Sequence, residues 1–254
     1  MRVIKAILIN LLFVCPCQAA VFDHVQSKGT FISASGGSAS FDSNTTAGNT
    51  LVLWCDDNSG SVAVPTVGGT GGITWTHAKS QGKSQCWVAN NIPGGAVTVT
   101  LTNASSQWGV ILAEFAKGTA PLELDQVASA TGSSTTPASG NTPSTTAAAE
   151  LVLGLVAKNT ANFTVGSGFT ERVNSAGYEY FALESKVVSS TGVQQADFTS
   201  TNSGTWLCMC VTLKESAAAT TRPQVIISRT QPRVPSLLDP RRWIRSETFY
   251  GIAP

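Results

Sequence analysis

The order of short apolar runs in this chain occurs twice, and that repeat constrains the fold more than any other feature. "LVLWC" at 51–55, preceded by "TTAGNT", returns as "LVLGL" at 151–155, preceded by "TTAAAE". "GGITWTHA" at 71–78 has a counterpart in "GSGFTERV" at 166–173. "SSQWGVILAEF" at 105–115 has one in "NSGTWLCMCVTL" at 202–213, with Trp108 answering Trp206. The offsets are 100 at the Leu run, 94 at Trp75/Phe169 and 98 at the Trp pair. Self-similarity at a nearly constant spacing marks two copies of one supersecondary plan. Neither copy could bury its apolar face alone, so the two are expected to close on one core.

The repeated units read as strands. Runs such as "TLVLWC", "QCWVAN" and "AVTVTLT" are rich in Val, Thr, Leu and Trp, and are bounded by Gly, Asn, Ser and Pro turns; no helix-length period interrupts them. The expected fold is all-β: a jelly-roll-like two-sheet sandwich over residues 21–216, with roughly four strands in each half (21–129 and 147–216). Between the halves, the Ser/Thr/Pro-rich segment 130–146 reads as an exposed loop or edge crossing. Only 12% of the residues are charged, a low share that suits an extracellular β-protein better than a cytosolic enzyme.

Both ends differ from this body. Arg2 and Lys5, the apolar run Ala6–Val14 and the small-residue exit "PCQAA" form a secretory signal over residues 1–20, too short to span a bilayer. The expected product is secreted or surface-displayed, with no membrane span after cleavage. From residue 217 an Arg/Pro-rich arm follows. Residues 222–254 hold six Arg and no Lys against two acids, for a net +4, whereas residues 21–216 carry −5. Five prolines there forbid a long helix or a central strand. Arg241, Arg242 and Trp243 make this arm the candidate contact for a protein partner or for self-association; nucleic acid is not expected.

The succession of "GNTLVL", "GITWTHA", "WVANNIPGGAVTVTLT" and "ILAEF", followed by "ELVLG", "GSGFTER" and a final "VTLKE", resembles a β-sandwich module of secreted bacterial proteins and phage structural proteins. The resemblance covers about residues 22–216 and rests on packing and turn motifs. It implies a fold, and brings no catalytic residues with it.

Residues able to carry chemistry are few. Removing the signal leaves Cys55, Cys86, Cys208 and Cys210. These are candidate disulfide partners in an oxidising compartment, with three pairings open. The repeat sets Cys208 against Val110, Cys210 against Leu112 and Cys55 against Leu155, so core packing is the leading expectation for them. A bridge between Cys208 and Cys210 is disfavoured, because i and i+2 side chains of a strand point in parallel. Asp56 and Asp57 in "CDDNSG" form a plain turn or a structural calcium site. His77 and the Glu179/Glu184 pair belong to no recognisable catalytic constellation, and no catalytic residue is assigned. Trp54, Trp87, Tyr178 and Tyr180 are candidates for an aromatic platform. Trp54 faces opposite to Leu51, Leu53 and Cys55, and Trp87 sits beside Cys86, so these two are better candidates for exposure than the repeated Trp pair.

Together these residues predict a non-catalytic exported module with a structural or binding role on a cell surface or particle. It would act by protein contact or self-association, with glycan binding as a second mode. No cofactor is expected beyond that calcium. The alternatives are a phage fibre or decoration protein, or a polysaccharide-acting hydrolase or lyase on the same scaffold.

Overall fold

A computed structural model describes residues 22–32, 37–57, 66–69, 72–102, 108–158, 162–175 and 180–217. The signal segment and the residues from 218 onward, with Arg241, Arg242 and Trp243, lie outside the described residues. Every described element is a strand. The first half holds β1 (His24–Ile32), β2 (Gly37–Ser40), β3 (Thr50–Asp57), β4 (Thr66–Gly69), β5 (Thr76–Gln81), β6 (Ser84–Ala89), β7 (Thr98–Thr102) and β8 (Trp108–Phe115). The second holds β9 (Leu122–Ser134), β10 (Glu150–Lys158), β11 (Phe163–Val165), β12 (Thr170–Ser175), β13 (Tyr180–Val188), β14 (Phe198–Ser200) and β15 (Gly204–Glu215). No helix among the described residues is long and apolar enough to cross a membrane.

The two halves use one plan. Five antiparallel strands run in the order β1-β8-β3-β6-β5 in the first and β9-β15-β10-β13-β12 in the second. A smaller sheet accompanies each: β2-β7-β4, and β14 flanked by β11 on one side and by the stretch around Ala138 on the other. This is jelly-roll winding, so each half completes by itself the order expected of the two halves jointly.

The large sheets face each other as a two-sheet sandwich. Val52, Trp54, Cys86, Ile111 and Phe115 of one meet Leu151, Leu153, Leu155, Phe181, Met209 and Val211 of the other in a central core. The outer face of each large sheet packs against its own small sheet. Leu51, Leu53, Cys55, Val110 and Leu112 face Val99 and Leu101 in the first half; Val152, Val156, Cys208 and Cys210 face Phe163 and Phe198 in the second. The expected common core is present, and two further cores flank it. Covering on both faces explains why every residue of β10 is buried. Strands in such a position lose the apolar–polar alternation of a half-exposed sheet.

The sheets also meet at their edges. Ser27 Oγ on β1 donates to the carbonyl of Arg172 on β12 at 2.8 Å, and Ser129 Oγ on β9 donates to Gln81 Oε1 on β5 at 2.9 Å. Exchanging the halves turns one contact pair into the other, since β1 corresponds to β9 and β5 to β12. The halves therefore pack like the subunits of a two-fold dimer within one chain.

Two expectations need correction. The offset of 100 pairs Leu51 with Leu151, yet Leu51 lies in the first outer core and Leu151 in the central core. The ladders give 101 instead: Asp56 lies between Ser84 and Gly109, and Ala157 between Phe181 and Leu207. A one-residue slip moves a side chain to the other face, so Cys55 answers Val156, not Leu155.

The second correction concerns segment 130–146. Residues 130–134 complete β9, and the rest is fastened to residues 192–200. The amides of Ser139, Thr142 and Thr145 donate to the carbonyls of Ala196, Gln194 and Gly192 at 2.9, 2.9 and 3.0 Å. Their hydroxyls accept from the amides of the same three residues at 3.0, 3.0 and 3.1 Å. Three residues of one segment advance against two of the other, and the hydroxyls supply the acceptors that an unequal pairing leaves missing. All three are buried while residues 141, 143 and 144 are exposed.

Candidate functional site

The pseudo-two-fold fails on the seam between the large sheets. By ladder position Phe181 corresponds to Ser84, Ala157 to Asp56 and Leu207 to Gly109. On one side the Phe181 ring fills the seam so closely that a Cβ at Gly109 would lie 2.9 Å from it, and one at Gly29 3.1 Å from it. On the other side Ser84 and Asp56 stand in place of Phe181 and Ala157. A cleft of about 210 Å³ opens there, lined by Asp56, Gly82, Lys83, Thr131, Ala157, Thr205, Trp206 and Leu207.

Local sequence explains how each wall is held. Gly82 and Lys83 form the two-residue turn between β5 and β6, and Gly82 has φ +55°, the left-handed value a primed hairpin turn needs at its first position. Asp56, the next-to-last residue of β3, is wholly buried. The Ser84 hydroxyl donates to its Oδ1, Lys83 Nζ stands 3.5 Å from its Oδ2, and Oδ2 accepts no hydrogen bond. Behind the opposite wall, on the face of β15 turned to the second outer core, Trp206 lies across Gly132, where a Cβ would come within 2.4 Å of the indole, and its Nε1 donates to Ser134 Oγ at 2.9 Å. Lys158 steadies this wall from below. Fully buried, it donates to the Ser134 carbonyl at 3.2 Å, to Ser200 Oγ and to the Asn202 carbonyl. Burial lowers its pKa. The cleft thus sets a carboxylate, an ammonium group and two threonine side chains against Ala157 and Leu207.

The sequence candidates fare differently. Trp54 faces away from Leu51, Leu53 and Cys55 as expected, but that face is the central core. Trp54 is wholly buried, its ring 5.8 Å from that of Phe181. It cannot be a ligand platform, because a covered strand has no solvent face. Trp87 is half-buried on the outer side of the first half, its ring centroid 4.5 Å from that of His77. Tyr180 is half-buried against the second outer core. Tyr178 and Glu179 lie outside the described residues, as does the Asp57 side chain. A calcium ion at Asp56 would have to compete with the Lys83 ammonium group, 3.5 Å from Oδ2, and with the Ser84 hydroxyl that donates to Oδ1.

The disulfide reading fails. None of the four mature cysteines is in a disulfide; all are buried, and they occupy three different cores: Cys55 the first outer, Cys86 the central, Cys208 and Cys210 the second outer. Layers of sheet separate them, apart from Cys208 and Cys210, which lie side by side on one strand face. Burial pushes the thiols of Cys86 and Cys210 up to about 12 and that of Cys208 well above its ordinary value.

Glu184 does not meet the other titratable candidates. It lies over Gly154 in the second outer core, with Oε2 accepting from the Gly166 amide at 2.8 Å and Oε1 buried without a partner. Burial, and then the charge of Asp197, raise its pKa to about 7. His77 sits on the other half, where Gln85 Oε1 and Ser80 Oγ lie 3.0 and 2.9 Å from its Nε2.

Comparison with protein-family models, with curated proteins and with solved structures finds no match to this chain. The site rests on its own geometry. Sequence reasoning passed over Lys83, Ser84, Thr131 and Thr205. A comparison of the two halves at the corrected register would have found the Ser84/Phe181 and Asp56/Ala157 exchanges; the offset of 100 concealed them.

Proposed function

We propose that the chain is a non-catalytic, exported β-sandwich serving as a structural or binding module on a cell surface or particle, through protein contact or self-association. The observation that carries this reading is the use the fold makes of its reactive groups. All four thiols among the described residues are buried, with Cys86 and Cys210 raised far above the range in which a thiolate attacks. Glu114 accepts from the Thr46 amide at 2.8 Å, Asn49 Nδ2 at 2.7 Å and Gln26 Nε2 at 2.7 Å, fastening a loop to β8. Asp56, Glu184 and His77 stand in three separate places, whereas glycoside hydrolysis needs two carboxyl groups facing across one sugar. The basic start and apolar run of residues 2–14 support export, and the Arg-rich arm supports contact with an acidic surface such as the net-negative body of another copy.

Native mass spectrometry of the mature chain, beside a chain ended at residue 216, tests the reading. The full chain is expected to form a defined assembly that the shortened chain does not. Reducing-end release from a polysaccharide panel would overturn it.

A further inference from the structure

We propose that the seam cleft binds one neutral sugar ring, either as a free glycoside or as the end of a glycan chain. The proposal rests on the module reading above and gives that module a ligand.

Three observations converge. The first is the break in symmetry. Internal repeats keep core positions apolar for packing, and Phe181 shows that this seam accepts a full aromatic ring. Putting Ser84 and Asp56 at the matching positions sacrifices core for polarity, and positions that break the local packing rule are where function concentrates. The second is Oδ2 of Asp56 in the cleft wall, buried and accepting no hydrogen bond although Lys83 Nζ stands 3.5 Å from it. A buried acceptor without a donor is costly, and a ligand hydroxyl would complete it with a charge-assisted hydrogen bond.

The third is the character of the walls. Lys83 Nζ stands 3.5 Å from the same carboxylate, so the polar wall is a charge-balanced pair. A cationic ligand would meet the ammonium group and an anionic one the carboxylate, which leaves a neutral polyol as the best match. Ala157 and Leu207 supply an apolar surface for the C–H face of a sugar. Thr131 and Thr205, both exposed at the rim, add hydroxyl partners. At about 210 Å³ the cleft is smaller than the roughly 300–1,000 Å³ of sites for drug-sized molecules, which suits one ring and not an oligosaccharide along its length.

The test titrates the mature chain with the methyl glycosides of glucose, galactose, mannose and N-acetylglucosamine, read by calorimetry and tryptophan emission. An array of immobilised oligosaccharides is probed beside them. At least one neutral glycoside is expected to bind, with Kd on the order of 1 mM. Asp56→Asn should weaken it by about ten- to a hundred-fold. Thr205→Val, at an exposed position that leaves the fold intact, should weaken it measurably as well. Binding on the array with no free glycoside binding would assign the cleft to chain ends. The proposal is overturned if neither format binds, or if Asp56→Asn and Thr205→Val, folded by thermal melting, bind as tightly as the parent. A bound glycoside that is hydrolysed would keep the cleft and refute the non-catalytic reading; silence in both formats would refute the cleft and leave that reading standing.

Discussion

Ser84 and Phe181 occupy the same place in the two halves of this molecule, one as a hydroxyl bonded to Asp56 and the other as a ring pressed on Gly109. The pair turns a nearly symmetric sandwich into one with a closed flank and an open one. Gly109→Ala should therefore destabilise the protein, because the new methyl group meets the ring at 2.9 Å with core all around. Overpacking of this kind costs about 1–3 kcal/mol. Ser84→Ala should cost a similar amount for a different reason, the loss of the donor to a buried carboxylate. Guanidinium midpoints at constant slope measure both.

Removing one hydroxyl from the Ser139–Thr142–Thr145 ladder tests whether that segment is structural. Thr142→Val keeps the shape and leaves the Gln194 amide without its 3.0 Å acceptor. The expected loss is about 1–3 kcal/mol, with amide exchange accelerating first around residues 192–196. A change within experimental error would mean that the segment is held by something else.

Glu184 should govern the pH dependence near neutrality. Its carboxyl stays protonated in the folded protein up to about pH 7, against an ordinary value of 4.5 in the unfolded chain. Between those values the unfolded chain holds fewer protons, so stability is full below about pH 4.5 and falls as pH rises toward 7. Within that window the decline is at most about 1.4 kcal/mol for each step of one in pH. Glu184→Gln should flatten it. Melting temperature against pH for both proteins checks this; parallel curves would contradict the assignment.

The thiols should be silent. With the four mature cysteines buried in three cores and two of them raised to about 12, a thiol reagent at neutral pH should modify none in the folded mature chain and all four after unfolding. Rapid labelling of the native protein would refute this packing.

Sequence reading goes far here where packing has a period and less far where it does not. The strand runs, the two halves and the apolar placing of Cys208 and Cys210 are legible because Trp206 and Trp108 hold matching sequence positions on β15 and β8. Trp54 is misread because one-faced exposure holds only for a sheet covered on one side, and here three cores stack on one another. The Ser139–Thr142–Thr145 fastening escapes notice because Ser and Thr in a Pro-rich stretch also describe a loop; the spacing of three that distinguishes it acquires meaning only beside residues 192–196. The cleft is the least legible part, since it depends on a one-residue correction between Leu51 and Leu151 that only the ladders supply.

The central claim is that both halves share one core, with the cleft on their seam. The most direct measurement is equilibrium unfolding of the mature chain in guanidinium, followed at once by far-ultraviolet circular dichroism and by backbone amide resonances from each half. One coincident transition is expected, because the core of Trp54, Phe181, Leu153 and Met209 cannot be lost by one half and kept by the other. Separate midpoints for residues 22–115 and 122–217 would contradict the account.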